Sequence, residues 1–133
     1  MVGWLLLVLA PRWRGTRAVV LSGALPLALA AAYTFLIVYQ TVAHPAAGAG
    51  FSSLEQVAAL FREPWALLAG WVHYLCFDMA VGAWETRDAQ RRGVPHWALL
   101  PCLVATFMLG PLGLGLYCGV RRFWARPKPK GIV

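Results

Sequence analysis

The stretch from Trp65 to Trp84 constrains the fold of this chain more than any other part of the sequence. It is apolar except for His73, Tyr74 and Asp78. As an α-helix it measures about 30 Å, which matches the hydrocarbon core of a bilayer, and its terminal tryptophans are typical of membrane interfaces. Ionisable groups at this depth cost about 2.5–3.5 kcal/mol each on insertion scales, so they usually face a bundle interior, a partner or a water-filled cavity. The stretch therefore predicts a membrane-spanning helix with a polar face.

The composition indicates the same class of protein. Of the 133 residues, 60% are apolar and 13% are charged, whereas soluble domains carry about 25% charged residues. The net charge of +7 comes from short basic clusters beside apolar segments, as in loops that flank membrane helices. No nucleic-acid-binding motif accompanies these clusters. We therefore expect one all-α integral membrane domain over residues 1–133, with the lipid bilayer and not nucleic acid as its partner.

The apolar pattern divides the chain into four segments. The first is about 15 Å long as a helix, half of the hydrocarbon thickness, so it spans only if the natural chain begins upstream and is otherwise an interfacial stub. We expect a helical bundle of three to four transmembrane helices with one short interfacial amphipathic helix. The segments are residues 1–10, 18–42, 65–84 and 97–120, followed by a basic tail at 121–133.

The interfacial helix is predicted at residues 53–63. Ser52 and Ser53 precede Glu55 and Gln56 at the spacing of a capping box. Apolar residues then recur at helical spacing, as in helices that lie on a membrane surface. Pro64 ends this helix or redirects the chain into the third segment.

The basic residues do not fix the orientation of four spans. Four spans place equal numbers of Lys and Arg on the two sides of the membrane. The Gly110-Pro111 pair interrupts the fourth segment and offers an alternative, in which the chain re-enters and every Lys and Arg except Arg62 lies on one side. Because the length of residues 97–120 suits a simple span, we expect a span there and keep re-entry as the alternative.

The polar residues of the third segment are the candidates for chemistry. On an ideal helix, Trp71, Asp78 and Glu85 share one face, whereas His73 lies about 140° around the axis from Asp78. In a lipid-enclosed pocket, a carboxyl acid and an imidazole base could act on one ligand. The candidate catalytic residues are therefore Asp78, His73 and Glu85.

A structural role is the alternative for each carboxylate. Asp78 could bond polar groups of another helix, or pair with Arg87 or Arg91. Glu85 and Asp88 could be partners of the arginines at the end of the third segment.

The deeper aromatic side chains are candidates for ligand binding. Tyr39, Trp71, Tyr74 and Phe77 could line a slot for a polyene or quinone, although lipid-facing and core packing fit them equally well. The three histidines lie on different segments without the paired spacing of metal ligands, and the three cysteines lack CxxC spacing. We therefore expect no metal site and no disulfide framework.

Two motifs carry a resemblance to a known family. The sequence H-Y-L-x-F-D occurs at residues 73–78 and G-P-x-G-L-x-L-Y at residues 110–117. Together with flanking sequence from Leu7 to Phe123, they resemble the small membrane family named for the plant abscisic-acid-deficiency-four protein, which is required to make neoxanthin. The resemblance implies a four-helix membrane bundle and, in plants, a role in converting the epoxide violaxanthin to the allene neoxanthin at plastid membranes.

The implied chemistry is an isomerisation without a redox cofactor. An acid protonates the epoxide oxygen, and a base removes a proton from the adjacent polyene carbon. Asp78 and His73 could supply these roles for a carotenoid or related isoprenoid.

Two further classes of function remain open. The chain could be a non-catalytic accessory or pigment-binding subunit with a membrane-protein partner, or a small transporter that forms a homo-oligomer. In each case we expect a multi-pass protein of the cell membrane in a bacterium or of the plastid membrane in a plant.

Overall fold

The computed structural model describes residues 1–124, and these residues form helices and turns without a β-strand. The predicted all-α class is therefore confirmed for this part of the chain. Most of the predicted basic tail lies outside the described residues. The helices are α1 (Val2–Leu9), α2 (Arg14–Thr16), which continues into a π-helical turn (Arg17–Leu21), α3 (Ala24–Ala43), α4 (Leu54–Arg62), α5 (Pro64–Arg92), α6 (His96–Leu109) and α7 (Pro111–Phe123).

Two helical stretches are long and apolar enough to cross a membrane. They are Arg14–Ala43 and Pro64–Arg92, with mean hydropathies of 1.9 and 1.4. They correspond to the second and third predicted segments. By contrast, α1 is about 12 Å long and cannot span a bilayer by itself.

Helix α5 continues about two turns beyond the predicted end of its segment at Trp84. Most of the polar residues that follow are Glu, Gln or Arg, which are good helix formers, so the helix outlasts the apolar stretch. It ends before Gly93, whose φ of 74° suits the left-handed residue that commonly follows a helix. Arg91 and Arg92 occupy the last turn, where cations interact favourably with the helix dipole.

The chain divides into two compact units. Met1–Leu25 and the described residues from Asp78 onward form one unit, which we call the hairpin unit. Pro26–Phe77 forms the other, which we call the aromatic unit.

The prediction of one span over residues 97–120 is wrong, because the chain reverses at Gly110. This glycine has φ 40° and ψ −90°, and Pro111, which has no backbone N–H to satisfy, begins α7. The reversal brings the Trp97 ring to 6.0 Å from the Trp124 ring, between centroids, so the start of α6 lies beside the end of α7. Helices α6 and α7 are thus an antiparallel helical hairpin, as in the re-entry alternative.

Close approach of the two helices depends on Gly113. This residue is buried, and a Cβ added to it would overlap the backbone of Thr106. A glycine here lets α7 pack directly on the α6 backbone, as small residues do in membrane helix pairs.

Side-chain hydrogen bonds fasten the remaining segments of the hairpin unit to the hairpin and to α5. Gln90 Nε2 donates to the Pro11 carbonyl over 3.0 Å, and Arg87 Nη1 donates to the Leu21 carbonyl over 2.6 Å. The His96 ring nitrogen Nε2 lies 2.7 Å from the Val8 carbonyl. The arginine-rich loop after α1 is therefore held beside the carboxyl-terminal end of α5.

In the aromatic unit, α4 forms close to the predicted position. Ser53 is its N-cap, and the Ser53 hydroxyl accepts a hydrogen bond from the Gln56 N–H over 3.3 Å. Hydrogen bonds from its own backbone N–H and from the Ser53 hydroxyl hold the pKa of the Glu55 carboxyl below its ordinary value. The Phe61 ring at the other end of α4 lies against Gly70 of α5. The location of α4 on a membrane surface stays a prediction.

Candidate functional site

Three carboxylates of α5 meet the helical hairpin at different levels. Asp78 lies beside the turn at Gly110, Glu85 contacts α6, and Asp88 contacts α7. Asp78 and Glu85 are seven residues apart and so lie on one face of the helix. We call these three residues the carboxylate row.

Glu85 is the most deeply placed member of the row. Its side chain is fully buried, and Thr106 donates a hydrogen bond to its Oε1 over 2.9 Å. The second oxygen, Oε2, has no hydrogen-bond partner among residues 1–124. A buried polar atom without a partner is costly, so this oxygen is a place where a donor group or a proton would be stabilised. The alternative that Glu85 pairs with an arginine is wrong in this structure, because its partner is Thr106.

Trp4 is a second buried group with unused hydrogen-bonding capacity. Its indole Nε1 has no partner among the described residues. Its ring packs on Gly82, one turn before Glu85 on α5, and its centroid lies 5.3 Å from that of Phe107 on α6. Sequence reasoning did not select Trp4 as a functional residue, because its contacts lie on α5 and α6 and not among its own neighbours in the chain.

Asp88, in contrast, has several protein partners on one carboxylate oxygen. Its Oδ2 accepts hydrogen bonds from Tyr117 Oη over 2.9 Å and from Arg92 Nε over 2.8 Å, and it lies 3.3 Å from Arg121 Nη1. The alternative that Asp88 pairs with a nearby arginine is therefore confirmed. Since α7 supplies two of these three partners, Asp88 ties the end of the hairpin to α5.

The Asp78 carboxylate has no hydrogen-bond partner within the described part of the chain, and it is only partly buried. A Cβ added to Gly110 would lie 2.6 Å from Asp78 Oδ1, so the carboxylate rests against the hairpin turn. Neither Arg87 nor Arg91 pairs with it, since Arg87 donates to the Leu21 carbonyl instead. Asp78 thus combines partial exposure with a free carboxylate at the middle of a helix long enough to span a membrane.

His73 lies in the aromatic unit. Its ring is 5.2 Å from that of Tyr33 and 4.8 Å from that of Phe77, between centroids. Together with Tyr33, Phe61 and Gly70, it lines a mainly apolar cavity of about 210 Å³. Because Asp78 belongs to the hairpin unit, neither unit by itself contains the predicted pair of acid and base.

The predicted ligand-binding aromatics lie mainly on the surface of the aromatic unit. Trp71 is 58% exposed and Phe77 is 61% exposed, while Tyr74 and Tyr39 are more than a third exposed. Tyr39 packs on Trp65 with 4.9 Å between ring centroids. None of these four residues lines the His73 cavity. They are exposed side chains and do not form the predicted slot within the described residues.

The three carboxylates of the row differ in how many hydrogen-bond donors they already have. Asp88 has three donors in place on its Oδ2, whereas Glu85 has one donor and an unpartnered Oε2, and Asp78 has no donor among the described residues. Within residues 1–124, no group of three His, Cys, Asp or Glu side chains is arranged to hold a metal ion. Proton transfer is the chemistry that these carboxyls themselves offer.

Comparison with known proteins gives one match. The model of a family described as ABA DEFICIENT 4-like matches residues 1–117. The match covers the hairpin motif, the H-Y-L-x-F-D motif and the whole carboxylate row. Searches among curated proteins and among solved structures found no match.

Proposed function

We propose a function from the premise that this chain belongs to the ABA DEFICIENT 4-like family, which confirms the resemblance of its motifs. The chain is a multi-pass membrane protein that rearranges a carotenoid or a related isoprenoid by acid–base chemistry. Two full spans, Arg14–Ala43 and Pro64–Arg92, accompany the hairpin of α6 and α7, which enters the bilayer and turns back.

Charge supports this topology. The contact of Arg121 with Asp88 returns the end of the hairpin to the arginine-rich end of α5, and the Pro11–Leu21 segment is bonded to the same end. Among the described residues, Arg62 is the only Lys or Arg outside the hairpin unit. By the positive-inside rule, this basic end faces the cytoplasm or its equivalent.

The observation that carries the catalytic part of the proposal is the free Asp78 carboxyl. Isoprenoids enter from the lipid phase, and Asp78 is both partly exposed and placed near the middle of a spanning helix. Its carboxyl gives a proton to the substrate, and the resulting carboxylate removes a proton from a neighbouring carbon. The reaction is then an isomerisation that returns the carboxyl to its starting state and uses no oxidant or reductant.

Glu85 has a second role in this proposal. It lies two turns from Asp78 on the same face, about 10 Å along the axis, which is too far for both groups to act on adjacent substrate atoms. Through Thr106 it positions α6, and hence the hairpin turn, against Asp78. We therefore treat Glu85 as a positioning residue.

Pigment chromatography tests this function. Bacterial hosts that make lycopene, β-carotene, zeaxanthin or violaxanthin would express the wild-type chain, Asp78→Asn, Glu85→Gln and the control Glu55→Gln. We expect a new pigment with the wild type and the control, none with Asp78→Asn, and a reduced yield with Glu85→Gln. Unchanged pigments in all four hosts, with the protein shown to be in the membrane, would exclude carotenoid isomerisation.

A non-catalytic, pigment-binding subunit is the second candidate, and the exposed aromatic surface favours it. Trp71, Tyr74, Phe77, Tyr39 and Phe35 lie on the outside of the aromatic unit, where a polyene could stack on them. Purification from the same hosts distinguishes the two functions. A bound, unmodified pigment that Asp78→Asn retains would favour the accessory role.

A further inference from the structure

We propose that an arginine-lined cleft of the hairpin unit binds a phosphate group, and that this phosphate belongs to the headgroup of an anionic phospholipid. The cleft is open and has a volume of about 420 Å³. It lies where the π-helical turn runs beside the last turns of α5. Its lining residues are Arg17, Leu21, Ser22, Arg87, Gln90 and Arg91.

The charge of the cleft is uncompensated. Arg17, Arg87 and Arg91 have no carboxylate partner among the described residues, where both ion pairs are formed by Asp88 with Arg92 and Arg121. Three guanidinium groups around one open cleft repel one another, and a bound anion relieves that repulsion. Guanidinium groups also match the geometry of phosphate oxygens through paired N–H donors.

Hydrogen bonds set the shape of the cleft and leave its donors available. Arg87 donates from Nη1 to the Leu21 carbonyl, which fixes its side chain while its other N–H groups stay available. Ser22 is occupied by the backbone, since its hydroxyl donates to the Ala18 carbonyl over 2.6 Å. Arg17 and Arg91 make no side-chain hydrogen bond to any described residue, and both are exposed. These two arginines are therefore free to close on an anion.

The position of the cleft favours a lipid over a soluble phosphate. It lies at the end of two helices that are long enough to span a membrane, which is the depth at which phospholipid headgroups occur. A soluble phosphate would use the charge but gain nothing from this position.

Binding of defined lipids to the purified full-length chain in detergent tests the proposal. Native mass spectrometry would compare phosphatidylglycerol, phosphatidylcholine and inorganic phosphate on the wild type, on Arg17→Gln/Arg91→Gln and on the matched control Arg14→Gln/Arg122→Gln. Both double variants remove the same charge from the same unit, and neither touches the Arg87 hydrogen bond. Circular dichroism would establish that both variants keep the wild-type helix content.

We expect phosphatidylglycerol to bind the wild type and the control alike, and to bind the cleft variant about thirty-fold more weakly. Phosphatidylcholine, which has no net charge, should bind far more weakly to all three proteins. Equal losses of phosphatidylglycerol affinity in the two double variants would overturn the cleft as the binding site, because general surface charge would then explain the binding. Inorganic phosphate that binds as tightly as phosphatidylglycerol would overturn the lipid as its source. No measurable binding of either anion would overturn the site itself.

Discussion

The hairpin unit and the aromatic unit use their polar side chains in different ways. In the hairpin unit, polar groups join elements that are distant in sequence, as Thr106 joins Glu85 and Tyr117 joins Asp88. In the aromatic unit, the hydroxyls of α3 bond within their own helix, as Thr34 does to Ala30 and Thr41 to Ile37. Its aromatic side chains lie largely on the surface.

This contrast distinguishes side chains that define how helices are arranged from side chains that contact the surroundings of the protein. Helices in a bilayer gain no hydrophobic energy by meeting each other, so close packing and hydrogen bonds between helices define the arrangement. The hairpin unit has both, and it therefore holds the carboxylate row in a defined geometry. The aromatic unit presents a surface suited to lipid or pigment.

The largest effect is expected from filling the closest helix contact of the hairpin unit. Gly113→Ala places a Cβ against the Thr106 backbone, which cannot rotate away as a side chain can. We expect a destabilisation of about 3 kcal/mol, at the upper end for overpacking. Gly119→Ala on the same helix is the control, since an added Cβ there meets nothing within 4 Å. Thermal unfolding in detergent measures both, and equal stability of the two variants would contradict the hairpin contact.

The next effect comes from removing the hydrogen bond between α6 and α5. Thr106→Val keeps the volume of the side chain but leaves Glu85 Oε1 buried without a donor, at a cost of about 2 kcal/mol. Thr34→Val makes the same change in the aromatic unit and should stay within about 0.5 kcal/mol, because it lies on an exposed helix face. A similar cost for both threonines would remove the difference between the units.

A smaller loss is expected at the base of the hairpin. Tyr117→Phe removes the hydroxyl that donates to Asp88, while Arg92 and Arg121 remain as partners, so we expect about 1.5 kcal/mol. Tyr74→Phe provides the matched change on the aromatic surface. A double-mutant cycle of Tyr117→Phe with Asp88→Asn would show whether the loss belongs to this pair, since independent effects would simply add.

The smallest effect concerns the amino-terminal end of α4. The pKa of Glu55 is lowered below its ordinary value of 4.5, so its charged form stabilises the helix above that pH. This contribution disappears as the pH falls through the lowered pKa of the folded state, and Glu55→Gln should lack the change. NMR titration of the Glu55 side-chain carbon would measure the pKa of this carboxyl. A midpoint at or above 4.5 would contradict the hydrogen bonds that the Glu55 carboxyl accepts.

The sequence was sufficient for features that depend on neighbouring residues. The helix through Trp65–Trp84 follows from a continuous apolar stretch, and α4 follows from the Ser53 cap and its helical periodicity. Asp88 was expected to pair with Arg87, Arg91 or Arg92, and it pairs with Arg92.

Features that depend on distant residues were missed or misjudged. Residues 97–120 are long enough for one span, and the prediction gave this length more weight than the break at Gly110-Pro111. The partner of Glu85 is 21 residues away on α6, a contact that exists only because α6 folds back along α5 after Gly93. Trp4 was missed for the same reason, since its site is formed by α5 and α6 rather than by its own neighbours.

The reversal at Gly110 also affects whether the number of membrane crossings is even or odd. A helical pair that enters a bilayer and turns back adds no crossing, whereas a straight helix adds one. In the proposed topology, the loop before α6 and everything that follows α7 therefore share a compartment. Fusions or targeting signals at that end would meet the same proteases and partners as the Arg91–Arg92 loop, and a substitution that straightened the turn would move them to the opposite compartment.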